Sequence, residues 1–267
     1  MNPTKFLLLI TGIFTLASCK TMDTNHSTPL AQSREYYQLK IYTFDTDEQV
    51  QTTDNYLKEA YLPGLKRLGI QNIGVFKPSP DGTDSVKKIL ILVPFSSLAQ
   101  FLTLEEELGK DQTYLSAGQD YIGVSHQHPP YSRFESILLK AFEDMPAMQA
   151  SKLDGPRANR IYELRSYESP TEAYFKNKVD MFNAGGEIKL FERLGFNAVF
   201  YAEVISGPKM PNLMYMTTFS GLSSREEHWK EFGEAPEWEK LKAMPKYMNN
   251  VSHIDISYLY PTEYSDY

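Results

Sequence analysis

The chain of 267 residues holds a single cysteine, Cys19. One thiol makes no internal disulfide and builds no cysteine-based zinc site. Basic residues are in the minority, 27 Lys and Arg against 34 Asp and Glu, for a net charge of −7. That balance argues against nucleic acid, or an anionic membrane surface, as the main partner. No apolar run reaches the roughly 18–20 residues of a bilayer span. Gly-x-Gly-x-x-Gly, P-loop, Gly-x-Ser-x-Gly and His-Glu-x-x-His patterns are all missing, so no nucleotide, hydrolase or zincin site is spelled out. Material for a core is plentiful. The chain is 42% hydrophobic and 13% aromatic, which excludes collagen, low-complexity tracts and intrinsic disorder.

Residues 1–18 read as a lipoprotein signal peptide. Lys5 precedes an apolar stretch from Phe6 to Leu16, and small Ala17 and Ser18 lead to Cys19. The apolar part is too short to span a bilayer. Leu16-Ala17-Ser18-Cys19 resembles a bacterial lipobox, which implies cleavage before Cys19 and lipidation of its thiol and new N-terminus. Several acyl chains anchor firmly where one does not. The expected address is the cell envelope, membrane-anchored through Cys19, with a periplasmic or surface-exposed body. A lipidated Cys19 leaves no cysteine nucleophile. Residues 19–35 are polar, without an apolar period, and read as a tether.

Beyond the tether the chain looks duplicated. Tyr37-Gln38-Leu39-Lys40-Ile41-Tyr42 aligns with Tyr162-Glu163-Leu164-Arg165-Ser166-Tyr167 at an offset of 125. Leu68-Gly69 aligns with Leu194-Gly195, and Phe95-Ser96-Ser97-Leu98 with Phe219-Ser220-Gly221-Leu222. A repeat this long suits a duplicated small domain. Alternation, helical period and turn residues give each half the order β-α-β-β-α-β. The first half reads as strand Tyr36–Phe44, helix Asp54–Leu68, strands Asn72–Lys77 and Val86–Val93, helix Leu98–Leu108 and strand Phe134–Phe142. Pro63-Gly64 predicts a kink or break in the first helix. The second half reads as strand Arg160–Tyr167, a helical stretch Thr171–Leu194 broken at Gly185-Gly186, strands Phe196–Ile205 and Leu213–Phe219, a helix capped by Ser223 or Ser224, and strand Val251–Tyr260. A polar tail follows Pro261. The expected domains are residues 36–145 and 157–262, both ferredoxin-like.

At Tyr162-Glu163-Leu164-Arg165-Ser166-Tyr167, with Leu194-Gly195 ending the next helix, the sequence resembles the NIPSNAP family. The resemblance implies an α+β fold of the dimeric α+β barrel type over about residues 36–260. The first half departs from the motif, with Gln38 for the acid and Lys40 for the arginine.

Strand alternation places Glu163 and Arg165 on one face of their strand, with Tyr201 and Glu203 on the polar side of the next. His253 and Asp255 share a face of the last strand. The mixed face is expected to line a barrel interior, with the apolar face under the helices. Candidate catalytic residues are then His253, as proton shuttle, with Glu163 and Arg165. Tyr201, Glu203 and His228 are candidate ligand contacts. His126 and His128 share one side of a loop but lack a third ligand nearby, so no metal site is expected there. No cofactor is expected. The leading function is binding of a small molecule or protein partner at the envelope. The alternative is a cofactor-independent monooxygenase- or isomerase-like enzyme, an analogy from fold alone. A dimer is allowed, although two halves in one chain can supply the pairing internally.

Overall fold

A computed structural model describes residues 33–80, 82 and 86–267. The signal peptide, Cys19 and the tether up to residue 32 lie outside the described residues. The first half runs β1 (Tyr36–Thr43), α1 (Asp47–Tyr56), α2 (Leu62–Arg67), β2 (Gly74–Pro78), β3 (Lys88–Phe95), α3 (Leu98–Lys110), α4 (Gln112–Ala117), α5 (Gln119–Ile122) and β4 (Arg133–Ala141). The second runs β5 (Ile161–Glu168), α6 (Glu172–Phe182), α7 (Glu187–Arg193), β6 (Asn197–Ser206), β7 (Asn212–Phe219), α8 (Leu222–Glu234), α9 (Pro236–Lys242) and β8 (His253–Pro261). No described helix is long and apolar enough to cross a membrane.

Local chemistry sets the helix ends. Thr46 starts α1 seven residues before the expected Asp54, because its hydroxyl accepts the Gln49 N–H at 3.2 Å. Thr171 caps α6 in the same way. Pro63 does not break its helix. The turn before it widens to π geometry over Leu57–Tyr61, and α2 continues through Pro63 and Gly64. A wider turn accommodates a residue that has no N–H to give and whose ring crowds the preceding carbonyl.

All neighbouring strands are antiparallel and form one closed barrel, β1-β3-β2-β8-β5-β7-β6-β4. Each half contributes a ferredoxin-like sheet, β4-β1-β3-β2 or β8-β5-β7-β6. Two seams join them. One pairs Phe76 to Pro78 with Pro261 to Leu259. The other pairs β4 with β6 around a register shift at Leu138/Leu139. The fold is α+β, of the dimeric α+β barrel type, with both sheets of the barrel supplied by one chain.

Apolar burial falls into three main layers. Tyr37, Leu39, Phe76, Leu92, Tyr162, Leu164, Phe200 and Met216 fill the barrel interior. Two outer layers lie between the sheet and the helices of each half. This corrects the expected faces. Tyr162 and Leu164 point inward, while Glu163, Arg165 and Tyr201 point out beneath the helices. An eight-stranded barrel is just wide enough to be filled by side chains. The apolar packing around Tyr162 and Leu164 cannot hydrate charge, so the charged pair sits where helical partners reach it. The end of the chain is a second correction. Tyr267 is buried, its ring centroid 6.1 Å from Phe76 and 6.4 Å from Tyr162. The segment before it bonds along β2, with the Thr262 N–H on the Val75 carbonyl and the Ser265 hydroxyl accepting the Val75 N–H.

Candidate functional site

Tyr267 packs into one end of the barrel, and the other end opens to a cavity of about 390 Å³. Its floor is apolar, with Leu90, Ile137, Leu164, Met214 and Leu259. The lining grows more polar toward the mouth along two paired strands. The inward residues of β5 run Tyr162, Leu164, Ser166, Glu168, and those of β8 opposite them run Leu259, Ser257, Asp255, His253. Pairing in register puts cross-strand partners on the same face.

Two polar groups in this wall are almost wholly buried. The Asn212 amide donates to the Ser166 hydroxyl at 2.8 Å. Above them, Lys209 on the β6–β7 turn donates to Asp255 Oδ2 at 2.5 Å, and His253 Nε2 lies 3.1 Å from Asp255 Oδ1. The hydrogen bond from Lys209 holds the Asp255 carboxyl below its usual range. Burial opposes this, and the His253 contact assists it. The arrangement offers an apolar bed with directional polar groups at its lip.

Glu163 and Arg165 belong to a different place. Glu163 is fully buried between β5 and α8. It accepts from Arg165 Nε at 2.5 Å, Arg225 Nε at 2.8 Å and the Trp229 indole at 2.9 Å. Arg165 stacks on Trp229, 3.6 Å from the ring centroid, and donates to the Tyr167 hydroxyl at 3.0 Å. Burial works to raise the Glu163 carboxyl. The Arg225 hydrogen bond, the two guanidinium charges and the indole outweigh it and hold the group ionised below its ordinary value. Both carboxylate oxygens of Glu163 are engaged, and among the described residues this cluster lines none of the cavity. His253 is on the opposite face of the sheet, so the three candidate catalytic residues do not meet.

The remaining candidates are also apart from the mouth. Tyr201 is packed among Phe182, Phe191 and Tyr215, and burial raises its phenol well above the usual range. Glu203 accepts from Arg34 at 2.6 Å on the outer surface. His228 Nδ1 lies 2.6 Å from the Ser224 carbonyl, and its ring meets Phe196 and Phe219 edge-on. His126 and His128 stand in an exposed loop and join no metal-type cluster of described residues. Ser166, Asn212, Lys209 and Glu168 went unmarked in the sequence because no motif links them. The signal that finds them is the register of β5 against β7 and β8.

The NIPSNAP family model matches residues 162–266, beginning at the Tyr-Glu-Leu-Arg strand. No curated protein matches the chain. Among solved structures, a provisionally named monooxygenase from Fusobacterium nucleatum is similar over 86% of this chain and 93% of its own, with 10% identity and a TM-score of 0.55. A provisionally named monooxygenase from Lactobacillus acidophilus is similar over 85% and 94%, at 9% identity and the same TM-score of 0.55. A NIPSNAP family protein from Agrobacterium tumefaciens matches 43% of this chain and 97% of its own, at 20% identity and a TM-score of 0.36. At these identities the two whole-chain likenesses are likenesses of fold.

Proposed function

We propose, from the premise that residues 162–266 are a NIPSNAP domain, that the chain is an envelope-anchored binding protein for a small molecule. The ligand's apolar body enters the barrel mouth and its polar end stays at the lip. The observation that carries this reading is the 390 Å³ cavity, with its apolar floor and graded polar wall. Its size falls in the range of small-molecule sites, roughly 300–1,000 Å³, and so does its mix of apolar lining with few polar groups. The buried Ser166–Asn212 pair supports recognition of a hydroxyl or amide. The lipobox at Cys19 supports the anchor.

The neutral apolar dye N-phenyl-1-naphthylamine tests the cavity. Ser257 is half-buried in the wall, so Ser257→Trp fills the mouth. Saturable binding of one dye per chain is expected, weakened about tenfold or more in the variant, a loss of at least about 1.4 kcal/mol. No binding, or equal binding by Ser257→Trp, overturns the reading. Untargeted mass spectrometry of extracts from the purified protein then identifies the natural occupant. Palmitate label is expected in the wild type and not in Cys19→Ser. An unlabelled wild type removes the anchor.

Cofactor-independent oxidation or isomerisation in the same mouth is the second reading. The whole-chain fold likeness to provisionally named monooxygenases favours it, an analogy of architecture. Conversion of the recovered occupant by the protein without added cofactor, with dissolved dioxygen as the oxidant for an oxidation and nothing further for an isomerisation, would replace the binding reading with this one.

A further inference from the structure

Three side chains with metal-ligand chemistry meet at the lip of the mouth. Glu168 ends β5 and is the cross-strand partner of His253 at the start of β8. Asp255 lies two residues further along β8 and so shares the face of His253. One donor atom from each residue falls within 4.8 Å of the other two. Two of the three are thus fixed by strand pairing and the third by the pleat.

Acids on neighbouring strands repel unless a cation lies between them. Lys209 supplies part of that compensation, 2.5 Å from Asp255 Oδ2. It occupies one oxygen of Asp255 and leaves the other, Oδ1, turned to His253 Nε2 at 3.1 Å. The space bounded by Oδ1, the imidazole nitrogen and the Glu168 carboxylate has the donors of a cation site on three sides.

We propose that Glu168, His253 and Asp255 form a site for a first-row divalent cation, zinc foremost. One imidazole and two carboxylates suit zinc, and three protein ligands leave a position open. Donors about 2.0–2.2 Å from zinc stand roughly 3–4 Å from one another, so the observed spread closes by rotation of side chains. Glu168 and Asp255 are half-buried and His253 is exposed. Asp255 also lines the cavity, so the three donors stand beside the mouth. There a cation would take the oxygen or nitrogen end of a small molecule. The proposal goes beyond the binding reading and does not depend on it, since zinc alone is the probe.

The test is calorimetric titration of zinc into the tag-free whole chain after chelator treatment. One zinc per chain is expected. Glu168→Gln and His253→Ala each weaken binding about tenfold or more, the scale of losing even an outer partner of a metal site. Lys209→Met strengthens it, because a competing positive charge is gone. His126→Ala with His128→Ala leaves it unchanged. Melting temperatures without zinc report folding, and Asp255→Asn is a third variant if either ligand variant melts early. The site is overturned if the wild type takes up no zinc saturably. It is also overturned if uptake survives in folded His253→Ala, or disappears with His126 and His128. In the first case Lys209 is simply the counter-ion of the two acids. Dye binding by the mouth is unaffected by any of these results, so failure here and failure of the binding reading are told apart.

Discussion

Glu163 sits fully buried beneath α8, with Arg165, Arg225 and Trp229 donating to its two oxygens. The first half fills the same spot differently. Gln38 replaces the acid on the strand, and the acid stands on the helix instead. Lys40 lies 3.3 Å from Glu105 of α3 and 4.8 Å from the Tyr61 ring centroid. The offset that aligns Ser97 with Gly221 also aligns Glu105 with Trp229. The two halves thus keep a cation between strand and helix while its partner changes element. Glu163→Gln removes the charge and leaves two guanidiniums in the buried layer. Breaking a buried pair in this way costs about 3–5 kcal/mol. The expected result at pH 7 is an unfolding free energy, read from urea titration, lowered by that amount. Acid should close the gap. Glu163 is depressed in the folded protein, so its contribution is complete above the ordinary carboxylate value of 4.5 and fades as pH falls through the lower folded value. Urea midpoints of wild type and variant should therefore converge below about pH 4.5. A difference that stays constant down to pH 3 would show that the charge is not what Glu163 contributes.

The elements were largely legible from alternation and period, and their exact starts were not. Ser97 caps α3, its hydroxyl accepting the Gln100 N–H at 3.2 Å. The aligned position in the second half is Gly221, and α8 begins there without a side-chain cap. The expected caps, Ser223 and Ser224, fall inside the first turn, because the chain leaves β7 as abruptly as it leaves β3. Ser97→Ala is expected to cost about 1 kcal/mol. Ser223→Ala and Ser224→Ala should stay within about 0.5 kcal/mol of wild type. Thermal melts of the three variants check the contrast, and a loss at Ser223 or Ser224 equal to that at Ser97 would refute it. Strand faces were harder to read for a physical reason. All eight residues of β7 are buried, and seven of eight in β5. A strand covered by helices on one side and by a barrel interior on the other loses the polar side that marks direction. Alternation then separates two faces and cannot say which is inside: the mixed face expected in the lumen lies outward on β5 and β6 and inward on β8.

Duplication was visible along the sequence, while the closure of both halves into one barrel depends on seams that no local pattern encodes. The same holds for the mouth. Ser166, Asn212, Asp255 and Glu168 come from three strands and meet only through register. The interior is shared as well. Tyr37 of β1 packs on Phe200 of β6 with ring centroids 5.5 Å apart, and Phe76 of β2 packs on Tyr162 of β5 at 5.0 Å. Residues 33–267 form one compact unit. A half on its own would expose two sheet edges and one wall of this interior, surfaces that favour association. The halves should therefore unfold together despite their duplicated sequence. Trp229 and Trp238 are the two tryptophans of the chain, and both belong to the second half. Their fluorescence reports that half alone, while far-ultraviolet circular dichroism reports helices and strands of both. In a urea titration the two signals are expected to share one midpoint and one slope, the mark of a single cooperative transition. If tryptophan emission changed at a separate midpoint, each half would hold its own fold, and the seams β2–β8 and β4–β6 would be contacts between finished domains rather than parts of one structure.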